Sequence, residues 1–302
     1  MSIYTNLPKL FVMLLLMLAN ASLVLAQDSD EHVAEQAQSN RAPSNSNVYF
    51  ILQAHKKNYI LPLIYTDNFN EQAYQDVPSL SGDEFKDIEA KYQLSVKFPL
   101  FNPGFLVDND SFHFGMTIQS WWQIYADEIS KPFRETNYQP EFFYRLPIGW
   151  QPFDGNVTLG LGVEHQSNGR SQVISRSWNR IYGEVIYTHG LFKAYFRPWY
   201  RLPEDEKESP DDPKGDDNPD IGDYMGHYQL QLQYAVYDVG MEMVIRNNLS
   251  THKGAVELGL SFPLGSGLRG YLQYFTGYGE SMIDYDHNQQ RIGIGIMLDS
   301  DF

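Results

Sequence analysis

From about Val48 onward the chain alternates apolar and polar residues with a period of two, in segments separated by turn-forming stretches. Tyr228, Leu230, Leu232, Tyr234 and Val236 form one row, interleaved with His227, Gln229, Gln231 and Gln233. Phe192, Ala194, Phe196 and Tyr200 stand opposite Lys193, Tyr195, Arg197 and Arg201, and the last segment alternates Ile292, Ile294, Ile296 and Leu298. Successive side chains of a strand point to opposite faces, so each segment predicts a strand with one greasy face and one polar face. Strands are expected near 57–66, 87–98, 112–125, 135–147, 156–167, 177–188, 191–202, 223–236, 238–247, 253–263, 268–277 and 290–302.

About a dozen strands of roughly ten residues is the count and length of a single-chain outer-membrane barrel. A soluble sandwich also alternates, but its outward face carries Lys and Glu. Here the polar rows are bulky, with Gln, Arg, Glu, Tyr and His recurring, which suits a narrow lumen filled by side chains. Tyr, Trp and Phe near the ends of the apolar rows fit interfacial girdles, Trp121, Trp122 and Trp178 among them, although parity turns Trp178 toward the lumen. The fold expected is all-β, an antiparallel transmembrane β-barrel of about twelve strands over 48–302. Connections at 189–190, 237–238 and 264–266 are short and those at 67–86, 126–134, 168–176 and 203–222 longer, so the longer ones belong outside the cell.

The N-terminus sharpens this picture. Lys9, an apolar run from Leu10 to Leu18 and Val24-Leu25-Ala26 read as a secretory signal peptide over 1–26. Residues 27–47 are polar and read as a flexible periplasmic tail. With 38 acidic against 22 basic residues the net charge is −16, which argues against nucleic acid. The absence of cysteine excludes disulfides and thiolate-held metals.

Candidate chemistry sits on one strand. Val157, Leu159, Leu161 and Val163 form an apolar row that continues into His165 and Ser167. On the next strand Asn179 shares a face with Ile181, Val185 and Tyr187. A hairpin across the intervening loop places Asn179 beside His165, because facing residues share a face. A serine hydroxyl becomes a nucleophile when an imidazole takes its proton. The imidazole works best when an acceptor holds its other nitrogen, and an amide oxygen can do this. Three polar side chains turned toward lipid have no structural reason to be there. The rim of a non-enzymatic pore or adhesin is the alternative reading. A barrel protease lacks its acidic pair beside His165.

The run His165-Gln166-Ser167-Asn168-Gly169-Arg170-Ser171, followed by Ser175-Arg176-Ser177-Trp178-Asn179-Arg180, resembles the outer membrane phospholipase A family. So do Ser120-Trp121-Trp122-Gln123, Pro132 to Tyr138, Asp217-Asn218-Pro219-Asp220 and Gly277-Tyr278-Gly279-Glu280-Ser281, so that the likeness runs from about residue 87 to the terminal Phe302. It implies a calcium-dependent acyl hydrolase acting on phospholipid at the outer leaflet of the bacterial outer membrane, active as a homodimer. By motif, Ser167 is the expected nucleophile, His165 the base and Asn179 its orienter. Gly169 is expected to donate its backbone N–H to an oxyanion hole. Calcium is expected at the Arg170 carbonyl and the Ser175 hydroxyl, with Ser130 supplied from the second subunit and Asp217 belonging to a site of the monomer. Taken alone, the acidic stretch around Asp217 reads as a solvated loop rather than a metal site, and the resemblance at Asp217 brings the two readings level.

Overall fold

The computed structural model describes residues 52–75, 85–101, 104–129, 131–170, 172–209, 212, 214–265 and 267–298. The expected signal peptide, the tail over 27–47, Ser130 and Phe302 lie outside the described residues. A two-residue strand β1 (Gln53–Ala54) precedes β2 (Tyr59–Thr66), β3 (Ile88–Phe101), β4 (Ser111–Trp122), β5 (Phe133–Ile148), β6 (Asn156–Ser167) and β7 (Ser177–His189). There follow β8 (Phe192–Leu202), β9 (Tyr228–Val236), β10 (Val239–Asn248), β11 (Lys253–Gly265), β12 (Leu268–Tyr278) and β13 (Asn288–Leu298). Strands β2 to β13 pair antiparallel in sequence order, and β13 pairs back onto β2, so the sheet closes into a barrel of twelve strands. Closure removes the unpaired edges that a bilayer cannot hydrate.

The barrel is inside out relative to a soluble core. Leu161, Val163, Ile181, Val185, Ile292 and Ile294 are exposed, while Glu89, Lys91, Arg134, Glu141 and Arg291 are almost fully buried in the lumen. Buried charge is tolerated where it is paired and hydrogen-bonded. Arg134 reaches Glu89 at 2.8 Å and Asp284 at 3.0 Å, Lys91 reaches Glu280 at 2.8 Å, and Glu184 takes Arg145 at 2.8 Å and Arg197 at 2.6 Å. The bulky polar rows of the sequence are therefore one half of a luminal salt network. Ahead of β2 the chain dips inward, so that Lys57 pairs with Glu257 at 2.7 Å across the barrel and His55 stacks on Phe143.

Two expectations need correction. The strand expected from 223 begins only at Tyr228, because Ile221–Met225 forms a short helix α1 instead. Ile221 and Met225, one helical turn apart, are both buried against Trp178, Trp199 and Met282 in the outer mouth. A strand would have laid them along one side of the wall instead of folding them into the mouth. Of the three tryptophans expected near the girdle, Trp121 is fully buried instead, Trp178 is fully buried on the luminal side that its parity gave, and Trp122 is partly exposed. Arg180 lies 3.9 Å over the Trp178 ring, a cation–π contact that a lipid-facing residue could not make.

Candidate active site on the lipid-facing wall

Strands β6 and β7 meet in a hairpin whose register pairs His165 with Asn179, Gln166 with Trp178 and Ser167 with Ser177. Even spacing then decides orientation. Glu164 and Trp178 are buried inward, while Val163 and His165 are exposed outward. Val157 is the one buried member of its row. Asn179 Oδ1 lies 2.8 Å from His165 Nδ1, and the Asn179 Nδ2 amide donates to Glu204 at 3.1 Å. An amide oxygen only accepts, so Nδ1 is the donor, and in a neutral ring that leaves the lone pair on Nε2. Ser167 lies two residues further along the same face, about 6.6 Å away at the strand rise. Among the described residues its hydroxyl has no hydrogen bond to His165, a spacing that apo sites commonly show before substrate enters.

The loop after Ser167 is tightly built. Asn168 accepts at Oδ1 from the backbone N–H of Arg170 (3.2 Å) and Arg176 (3.0 Å) and donates to the Ile174 carbonyl at 2.7 Å. Gly169 has φ +62°, and a Cβ there would lie 3.1 Å from the Tyr138 ring. Both the left-handed backbone and the close ring demand glycine. Arg170 fastens the loop to β5 through the carbonyls of Phe133 and Arg134, each at 3.0 Å.

Two of the remaining expected ligands meet in the structure. Ser175 Oγ donates to Asp217 Oδ2 at 2.6 Å, and Asp217 also forms an ion pair with Lys207. The structure thus brings Ser175 and Asp217 together, although the resemblance implies two different sites for them. Among the described residues no group of three His, Asp or Glu side chains could hold a metal. Any cation here would be held by hydroxyl, carbonyl and carboxylate oxygens. That donor set suits calcium in kind, since calcium takes oxygen ligands. It falls short of calcium's usual six to eight in number, which leaves room for oxygens from water or a second chain.

Two residues at the site escaped the sequence reading. Tyr138 on β5 pairs with Ser167 in register and lies against Gly169. Its outward parity within the Pro132–Tyr138 motif was the available signal. Glu204 follows β8, where Leu202 pairs with Asn179. It lies in an acidic loop and carried no signal of its own. Around these groups Val163, Ile181, Tyr200 and Leu202 expose an apolar surface to the membrane.

A closed barrel with an apolar outward wall, and with His165 and Asn179 hydrogen-bonded on that wall, is of the class of membrane-spanning β-barrels. The chain matches the Phospholipase A1 family model over residues 34–298. It is 37% identical to phospholipase A1 of Klebsiella pneumoniae over 285 residues, covering 92% of this chain and 94% of the relative. It is 39% identical to that of Escherichia coli K12 over 259 residues, covering 84% and 83%. The solved outer membrane phospholipase A of E. coli superposes with a TM-score of 0.76 at 37% identity, over 84% of this chain and 100% of that one. A Salmonella typhi outer membrane phospholipase, solved as a dimer with bound calcium, gives 0.76 at 36% identity over 85% and 96%. This chain belongs to the phospholipase A1 family and is an outer-membrane β-barrel phospholipase.

Proposed function

We propose that Ser167, His165 and Asn179 hydrolyse the acyl esters of phospholipids at the outer leaflet, with both acyl positions and lysophospholipids as substrates. The observation that carries this reading is the outward-facing His165–Asn179 hydrogen bond of 2.8 Å, with Ser167 next on the same face. A solved E. coli outer membrane phospholipase A that is an asparagine-to-alanine active-site mutant supports giving an asparagine that role.

The ester lies along Val163, Ile181 and Leu202 with its carbonyl over Ser167. Ser167 Oγ attacks the carbonyl carbon while His165 Nε2 takes its proton. Asn179 Oδ1 holds the Nδ1–H of the resulting imidazolium. The Gly169 N–H faces the oxygen that gains negative charge. His165 returns the proton to the departing glycerol oxygen as the C–O bond breaks, leaving an acyl-serine. Water, deprotonated by the same imidazole, attacks that ester, and the fatty acid leaves as Ser167 recovers its proton. The Arg170 carbonyl, Ser175 and Asp217 would hold calcium, together with Ser130 from a second copy of the chain. When bound, the cation supplies positive charge near the developing oxyanion. A ligand set completed by a second copy makes the active form a homodimer.

Ser167→Ala should lower hydrolysis of phospholipid in mixed micelles by on the order of 10⁴-fold or more. The variant barrel should keep its heat-modifiable mobility on gels. Appreciable turnover by that folded variant would sink the triad.

A further inference from the structure

Glu204 does something that the triad alone does not require. Beyond the pairing of Asn179 with Leu202, Glu204 is the next residue of that face past the end of β8. It reaches back so that its Oε1 accepts from Asn179 Nδ2 at 3.1 Å. An asparagine amide has two ends of nearly equal shape and opposite hydrogen-bonding sense. Turned one way, its oxygen accepts from His165 Nδ1–H and leaves Nε2 basic. Turned the other way, its NH₂ donates to Nδ1, which forces the proton onto Nε2 and removes the base. A carboxylate can only accept, so Glu204 admits one of these two orientations. We propose that Glu204 is a positioning residue, acting through Asn179 to hold His165 in its basic tautomer, and so extends the triad to a four-residue relay. The inference rests on the triad reading above and adds to it the group that makes a neutral asparagine a one-way orienter.

Glu204 lies at the rim, in the loop that follows β8, and lies outside the path proposed for the ester along Val163, Ile181 and Leu202. Its removal should therefore act on kcat and leave KM unchanged. Glu204→Ala should reduce kcat for phospholipid about 5- to 10-fold with an unaltered heat-modifiable barrel. Glu204→Gln keeps the shape but adds an NH₂ that can also meet a flipped Asn179 oxygen, so it should recover only part of that loss, whereas a role in loop packing would be met in full by the isosteric side chain. The decisive measurement is a double-mutant cycle with Asn179→Asp. That variant sets two carboxylates against each other across the present 3.1 Å contact, so it should lose at least about tenfold in kcat. Adding Glu204→Gln should then restore activity several-fold, reversing the sign of its effect in the native background. Unchanged kcat in Glu204→Ala, or purely additive effects in the cycle, would overturn the assignment. If instead Ser167→Ala retained activity, the triad itself would fall, and the two failures are told apart by that control.

Discussion

Gly169 shows how narrowly a single residue is specified here. Its φ of +62° is costly for any side chain, by roughly 1–2 kcal/mol, and a Cβ would press on the Tyr138 ring at 3.1 Å. Gly169→Ala must shift either the loop or the ring, and the loop carries the N–H proposed to face the oxyanion. We expect kcat to fall about 10- to 100-fold, within reach of the effect of a displaced oxyanion donor. Barrel stability should fall by no more than about 1–2 kcal/mol, and calcium affinity should weaken alongside kcat, because the Arg170 carbonyl proposed as a ligand rides on the same loop. Steady-state kinetics beside urea unfolding in detergent check both halves. Asn179 is the complementary case, because its chemistry depends on which end of the amide faces the ring, and that is decided by a neighbour 25 residues away.

Among the elements, the segment between β12 and β13 does the work of a plug. Met282, Ile283 and Asp284 are buried in the outer mouth. Asp284 accepts from Arg134 (3.0 Å), Ser281 (2.7 Å) and Asn70 (3.1 Å). Burial alone would raise its carboxyl, but the Arg134 charge and these hydrogen bonds outweigh burial and hold it below its ordinary value. A depressed carboxylate adds stability above the unfolded value of about 3.9 and loses it as pH falls through the lower folded value. Resistance to urea contributed by this loop should therefore be flat from neutral pH to about 4 and decline below it. Asp284→Asn leaves Arg134 without one of its buried partners and should cost about 3 kcal/mol at pH 7, with the acid-side decline weakened. Unfolding curves across pH, followed by tryptophan fluorescence, read both effects. The strand pattern was legible to within a few residues at most boundaries, because alternation is a local property of each strand. The helix α1 was not, since Ile221 and Met225 look like strand residues until Trp178 and Trp199 give them a pocket.

At the scale of the whole molecule, the lumen is crossed by ion pairs and its mouth is filled by α1 and the β12–β13 segment, leaving a polar cavity of about 770 Å³. The candidate site faces the other way, toward lipid. An enzyme so placed stands among its own potential substrates, and a calcium site completed between two copies would restrain it. Chelating calcium should abolish phospholipid hydrolysis and shift chemically cross-linked material from dimer to monomer, and added calcium should restore both together. Cross-linking that ignores calcium while activity follows it would separate the metal from assembly.

Alternation with a period of two settled which residues look outward, and so placed His165, Ser167 and Asn179 on the membrane side. The hairpin between β6 and β7 then set His165 opposite Asn179, a contact within reach of sequence because only nine residues separate the strands. Contacts between distant segments belonged to the tertiary structure alone: the inward dip of Lys57 toward Glu257 and the meeting of Ser175 with Asp217. Strand parity is written into neighbouring residues by backbone geometry, whereas these pairings exist only once the barrel has closed and brought the loops of different hairpins to one rim.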